Sequence, residues 1–199
     1  MNKKICVVGA GHWGKNHIRI LYEMGCLTGI VESKKDNKRL KRILNKRVNF
    51  YSSIEDALLD DFDGFVVATP AAETHFEISK KIILSKKPVL IEKPMALSIK
   101  DAENIINLAK ENNVNVMVGH VLLFHPAICK IKEMIDNNTI GELQYIYSNR
   151  LNLGKIRTEE NVFWSFAPHD ISIFQYLTNS YPKKIEASGS IFLQKGIHD

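Results

Sequence analysis

Short apolar runs alternate with amphipathic stretches through roughly the first 120 residues of the chain. Lys4 to Val8 reads as a buried strand, an apolar run with no alternating polar face. His12 to Met24 reads as a helix with Gly14, Ile18 and Leu21 on one face, stopped by Gly25. Leu27 to Val31 is the second strand, and Val48 to Tyr51 a short third one. Ser53 is a predicted N-cap for a short helix, with Asp56 three residues on. Gly64 to Ala68 is a strand ended by Thr69-Pro70, Thr74 to Leu84 a helix, and Val89 to Ile91 a strand. Ser98, with Asp101 three residues later, starts a helix whose face is Ala102, Ile105, Ile106 and Ala109. Asn115 to Val118 is a further strand. Strands that alternate with single helices imply a doubly wound parallel α/β sheet with right-handed crossovers.

The pattern changes after Gly119. Pro126 opens a helix with Ile128, Ile131 and Ile135 on one face, ended by Asn137-Asn138 and Gly141. Leu143 to Asn149 and Ile185 to Leu193 are strand-like, and Asn161 to Leu177 is helical and rich in aromatics. Two strands with one helix between them do not close a sheet. The chain therefore divides into residues 1–119 and an incomplete α+β domain, 120–199, with the start of an antiparallel sheet.

Composition changes this picture little. Hydrophobic residues make up 45% and charged residues 25%, an ordinary globular balance. No apolar run approaches the roughly 20 residues needed to cross a bilayer, and Ile5 to Val8 is too short for a signal-peptide core, so a cytoplasmic protein is expected. Cys6, Cys26 and Cys129 have no metal-ligand spacing and read as structural thiols in a reducing compartment. The net charge of +5 is concentrated between Lys34 and Arg47, where eight basic residues face one acid, Asp36. Leu40, Ile43 and Leu44 give that segment a narrow apolar stripe, so it reads as a solvated helix. It lacks the interleaved aromatics of a nucleic-acid surface, and no nucleic-acid or membrane partner is expected.

The chemistry lies at the ends of the strands. Gly9, Gly11 and Gly14 follow the first strand and open the first helix. Gly9 allows the tight turn, Gly11 lets a pyrophosphate approach the backbone, and Gly14 lets the helix pack closely. The helix N-terminus offers N–H groups to phosphates. Glu32 ends the next strand eighteen residues after Gly14, the place of an acid that binds the adenosine ribose. A carboxylate there repels a 2′-phosphate and favours NAD, while Lys34 and Lys35 keep NADP open. Glu92-Lys93-Pro94 closes the run Pro88 to Ile91, so Lys93 sits where open α/β sheets bind ligands. Burial and a positive nicotinamide ring would lower the pKa of such a lysine and make it a proton acceptor; otherwise it is a surface lysine before a turn. Pro94 is a candidate cis residue. His169 is suited to proton transfer near neutral pH, or equally to plain helix packing. His12/His17 and His120/His125 carry no convincing metal pattern, and no metal is expected.

These residues resemble the glucose–fructose oxidoreductase / inositol dehydrogenase (Gfo/Idh/MocA) family across essentially all 199 residues. The resemblance rests on the glycine turn, Ala68-Thr69-Pro70 with Thr74-His75, Glu92-Lys93-Pro94, Val118-Gly119-His120, Phe124-His125-Pro126, Ile140-Gly141-Glu142-Leu143 and His169. It implies a Rossmann domain, NAD as cofactor, and Lys93 and His169 flanking the reacting carbon. His12 and Trp13 in the glycine turn, with Thr69, Pro70, His75 and Glu92, are then cofactor contacts. The family commonly has an aspartate four residues before the histidine; this chain has Ser165.

A narrower likeness runs through Asn149 to Arg157, Glu159 to Val162 and Trp164 to Asp170. It is similar to the branch that oxidises the 3-hydroxyl of UDP-N-acetylglucosamine or its uronic acid. Arg150, Lys155 and Arg157 are candidate contacts for a diphosphate or carboxylate. Oxidation of inositol or a free sugar is the alternative within the family, and a non-catalytic dinucleotide-binding or regulatory module the alternative outside it. Family members are longer, so the second domain is expected to be truncated. In the family its sheet often forms the oligomer interface, which makes a homo-oligomer through that sheet an expectation here.

Overall fold

The computed structural model describes residues 3–33, 44, 48–151 and 161–198, and only the backbone of residues 71–73. The predicted basic helix, apart from Leu44, lies outside the described residues, as do Lys155 and Arg157. Two compact units divide the chain, Met1–Gly119 and His120–Asp199.

The first unit runs β1 (Ile5–Val8), α1 (Gly14–Glu23), β2 (Leu27–Val31), β3 (Asn49–Tyr51), α2 (Ile54–Ala57), β4 (Gly64–Val67), α3 (Ala71–Leu84), β5 (Val89–Ile91), α4 (Ile99–Asn112) and β6 (Val116–Val118). The strands form one sheet in the order β3-β2-β1-β4-β5-β6, and every pairing is parallel. The order reverses between β1 and β4, which opens a crevice at the carboxyl ends of those strands.

Strand period places alternate residues on opposite faces. Cys6, Val8, Phe65, Val67, Val89 and Ile91 face one core with Ile82 and Ile83 of α3 and Ile105 of α4. Val7, Ile30 and Val66 face the other, with Ile18 of α1. A strand buried on both sides requires apolar residues at consecutive positions, which is why β1, β4 and β5 read as unbroken apolar runs. The Cys6 thiol is fully buried. Burial, with the nearby Asp60 charge, holds its pKa far above the ordinary thiol value.

Local signals set the helix ends. Ser53 Oγ accepts the Asp56 N–H at 3.1 Å, and Ser98 Oγ accepts the Asp101 N–H at 3.0 Å. Gly25, at φ +69°, follows α1 in a conformation that suits glycine. The face of α4 centres on Ile105 and Ala109, whereas Ile106, expected on it, is 44% exposed.

The second unit holds a 3₁₀ turn (Val121–Phe124), α5 (Pro126–Asp136) and α6 (Val162–Thr178). Asn161 caps α6 by accepting the Trp164 N–H at 3.0 Å. The expected antiparallel sheet is not formed among the described residues. Leu143 to Asn149 and Ile185 to Leu193 are not strands, and one isolated antiparallel bridge joins Gln194 to Ile197. Alternating apolar residues make a strand only where another backbone completes the ladder. Without that ladder Tyr145, Tyr147, Ile185 and Phe192 stand largely exposed. Among the described residues no helix is long and apolar enough to cross a membrane.

Candidate active site

The glycine turn is built by close backbone approach. Gly9 has φ +94°, and a Cβ there would lie 2.9 Å from the Ala68 and Thr69 backbone. A Cβ on Gly14 would lie 1.9 Å from the Gly9 carbonyl oxygen, so α1 can start this close to β1 only with glycine. Gly11 differs: a Cβ there meets no protein atom within 4 Å. The protein's own packing does not require glycine at 11. A backbone approached by phosphates does, so the turn fits a dinucleotide. No side chain caps the first turn of α1, which suits an anion at that helix end.

Glu32 follows β2 at the rim of the same turn. Its Oε2 accepts the Ala10 N–H at 2.9 Å, which fixes the carboxylate beside the glycines.

Glu92 and Lys93 follow β5. Glu92 is tied into the sheet by its N–H, donated to the Val67 carbonyl at 2.9 Å. Its Oε1 lies 2.6 Å from His17 Nε2 of α1, and its Oε2 accepts the Lys93 N–H at 3.2 Å. Burial raises the Glu92 pKa. The His17 hydrogen bond and charge, then the Lys93 N–H and charge, outweigh it and leave the carboxyl below the ordinary glutamate range. Gly119, just past β6, is matched to this carboxylate: a Cβ there would stand 3.0 Å from Glu92 Oε2. The Lys93–Pro94 peptide is cis. Lys93 is half-buried and Pro94 buried.

His75, on α3, is 1% exposed. Its Nδ1 lies 2.9 Å from the Pro94 carbonyl oxygen and its Nε2 lies 2.8 Å from that of Thr69. Thr74 Oγ1 lies 2.7 Å from both Thr69 Oγ1 and the Pro70 carbonyl oxygen. The glycine turn, Glu32, the Thr69-Pro70 loop, Glu92 and Lys93 thus gather at the carboxyl end of one sheet. His12 and Trp13 lie exposed in the turn, Trp13 at 48%.

In the second unit, His169 and Ser165 lie one turn apart on α6, with Ser165 buried. Asp170, next to His169, accepts from Arg150 Nε at 2.5 Å, from a terminal Arg150 nitrogen at 3.2 Å and from Ser148 Oγ at 3.0 Å. Arg150, expected to meet substrate, is engaged by a carboxylate of its own chain. Among the described residues no three His, Cys, Asp or Glu side chains gather as a metal-binding group.

His17 and Gly119 join the site without having been assigned a part in it. The usable signal for His17 is its place one turn beyond Gly14, on the helix face that meets the sheet.

An open parallel sheet with a glycine turn at its switch point and a lysine at a strand end defines the class: a dinucleotide-binding α/β fold. Residues 3–120 match the family model described as an oxidoreductase family with an NAD-binding Rossmann fold. The chain belongs to the Gfo/Idh/MocA family, and its first unit is that NAD-binding Rossmann fold. It is 27% identical over 184 residues to a UDP-N-acetylglucosamine 3-dehydrogenase of Acidithiobacillus ferrooxidans, covering 92% of this chain and 56% of that one. It is 24% identical over 201 residues to a myo-inositol 2-dehydrogenase of Thermotoga maritima, covering 98% and 60%. The chain thus spans little more than half the length of these relatives. A crystal structure of scyllo-inositol dehydrogenase from Lactobacillus casei, with NAD(H) and scyllo-inositol bound, shares the fold. Its TM-score is 0.75 at 17% identity, over 90% of this chain and 57% of that one.

Proposed function

We propose that this chain takes part in NAD-dependent oxidation of a sugar hydroxyl, with the 3-hydroxyl of a UDP-N-acetylhexosamine or its uronic acid as the favoured substrate. The supporting observation is Lys93, held at the end of β5 by the Glu92 contact to its N–H, beside the glycine turn. Residues 1–119 serve the cofactor and residues 120–199 contribute to the substrate side. Gly9, Gly11, Gly14 and the start of α1 hold the pyrophosphate, with His12 and Trp13 alongside. Glu32 accepts from the ribose hydroxyls and disfavours a 2′-phosphate. Thr69, Pro70, Glu92 and Lys93 border the reactive end. Bound NAD supplies the hydride acceptor. Lys93 Nζ orients the sugar hydroxyl and takes its proton, leaving a ketone at C3; His169 is the second candidate for that proton. Arg150 supports Asp170 beside His169, and Lys155 and Arg157 remain candidates for the nucleotide phosphates.

Fluorescence titration with NADH and NADPH tests the first step, and Glu32→Ala should narrow the gap between them. Reduction of NAD is then followed with UDP-N-acetylglucosamine and with myo-inositol, in wild type and Lys93→Ala. Turnover that needs the UDP group and falls about 10³-fold or more in Lys93→Ala is expected. Turnover of inositol alone reassigns the substrate. Turnover untouched by Lys93→Ala sinks the lysine chemistry.

A further inference from the structure

We propose that His75 is a positioning residue for Lys93, acting through the Pro94 carbonyl, and does not itself touch cofactor or substrate. The inference rests on the chemistry proposed for Lys93 and assigns a part to a neighbour of that site. At 1% exposure the ring offers no surface to a ligand. Its two nitrogens instead face two carbonyl oxygens, Pro94 at 2.9 Å and Thr69 at 2.8 Å. Carbonyl oxygens only accept, and a neutral ring has one N–H to give; as the Nδ1–H tautomer it donates to Pro94 and links the Thr69 loop, through α3, to the Pro94 loop. These loops follow different strands, β4 and β5, and residues 69 and 94 are far apart in sequence. The Thr69-Pro70 loop has local support from Thr74. What His75 adds is the tie across to Pro94.

On the other side of the lysine, His17 holds the Glu92 carboxylate, which in turn accepts the Lys93 N–H. Lys93 is therefore bracketed. Residue 92 is held from α1 and residue 94 from α3. Displacing a catalytic group by about 1 Å can cost on the order of 100-fold in rate. A donor fixed to the next residue's carbonyl limits that displacement without entering the reaction.

The test compares His75→Leu, which keeps bulk but has no donor, with His75→Gln, which keeps one donating arm. In the full chain, NADH affinity should stay within about threefold of wild type in both. The kcat should fall about 100-fold in His75→Leu with KM little changed, and His75→Gln should recover about tenfold of that loss. A second readout needs neither cofactor nor substrate. Lysines are ¹³C-methylated, and the Lys93 resonance is assigned by its absence in Lys93→Arg. That resonance should move in His75→Leu and lie nearer its wild-type position in His75→Gln. An unmoved Lys93 resonance in both variants overturns the proposal. So does a loss of NADH affinity equal to the loss of kcat, which would mark a general collapse of the loops. Should His75→Leu not fold, the resonance and kcat of His75→Gln decide alone. Should wild type oxidise neither sugar, the proposed function fails, while the Lys93 resonance still decides the role of His75.

Discussion

At the scale of single residues, two glycines of one turn answer to different demands, and alanine separates them. Gly14→Ala forces a Cβ to within 1.9 Å of the Gly9 carbonyl. Overpacking against backbone costs about 1–3 kcal/mol, so the melting temperature should fall together with NADH affinity. Gly11→Ala meets no protein atom within 4 Å; it should leave melting unchanged and weaken NADH about tenfold or more. Calorimetry beside the NADH titration reads both, and a melting loss at Gly11 would contradict the ligand reading. Glu92 gives a prediction in pH. Its folded-state pKa is lowered from the ordinary 4.5, so its contribution to stability is present above that value and is lost as pH falls through the lowered one. Glu92→Gln should cost about 1–3 kcal/mol in urea unfolding at pH 7 and progressively less below pH 4.5. The glycine turn was legible because close backbone approach demands glycine at Gly9 and Gly14, directly after an apolar strand. The tie made by His17 was not, since its partner lies 75 residues away and a lone histidine on a helix looks the same when it merely packs.

At the scale of elements, the chain states its boundaries most clearly where a side chain meets a backbone N–H nearby. Ser98 is such a signal. Ser98→Ala should remove about 1 kcal/mol from the first unit with NADH affinity unchanged, as denaturant titration would show. Loss of NADH binding would instead mean that α4 reaches the site. The same locality explains why all six strands of the sheet could be read, from Ile5–Val8 to Val116–Val118. The inner strands β1, β4 and β5 are continuous apolar runs because both faces are covered, whereas β3 at one edge carries the exposed Asn49 and β6 at the other the exposed Met117. Leu143 to Asn149 carries the alternation of a strand with one wet face. That pattern specifies which side is buried, but pairing depends on another backbone, which the segment's own residues cannot provide. The basic stretch Lys34 to Arg47, read as a helix, lies outside the described residues apart from Leu44.

At the scale of the whole molecule, the deeply buried side chains gather in one unit. Among the described residues almost all of the buried apolar side chains lie before Gly119; Leu177 is the exception. Amide hydrogen exchange should therefore be slowest in β1, β4 and β5 and clearly faster in α5, which buries none of its residues. Equal protection in both would show that the second unit is covered in solution. The three thiols extend this reading. Cys129 is exposed, Cys26 partly so, and Cys6 is sealed in the central strand. Only the thiolate reacts readily with an alkylating agent, so Cys6 stays silent for as long as its strand stays paired. The chain thus carries its own clock for the opening of the sheet. In Cys26→Ser/Cys129→Ser protein the rate of alkylation would time that opening, and NADH in the medium would slow the clock by as much as it tightens the fold.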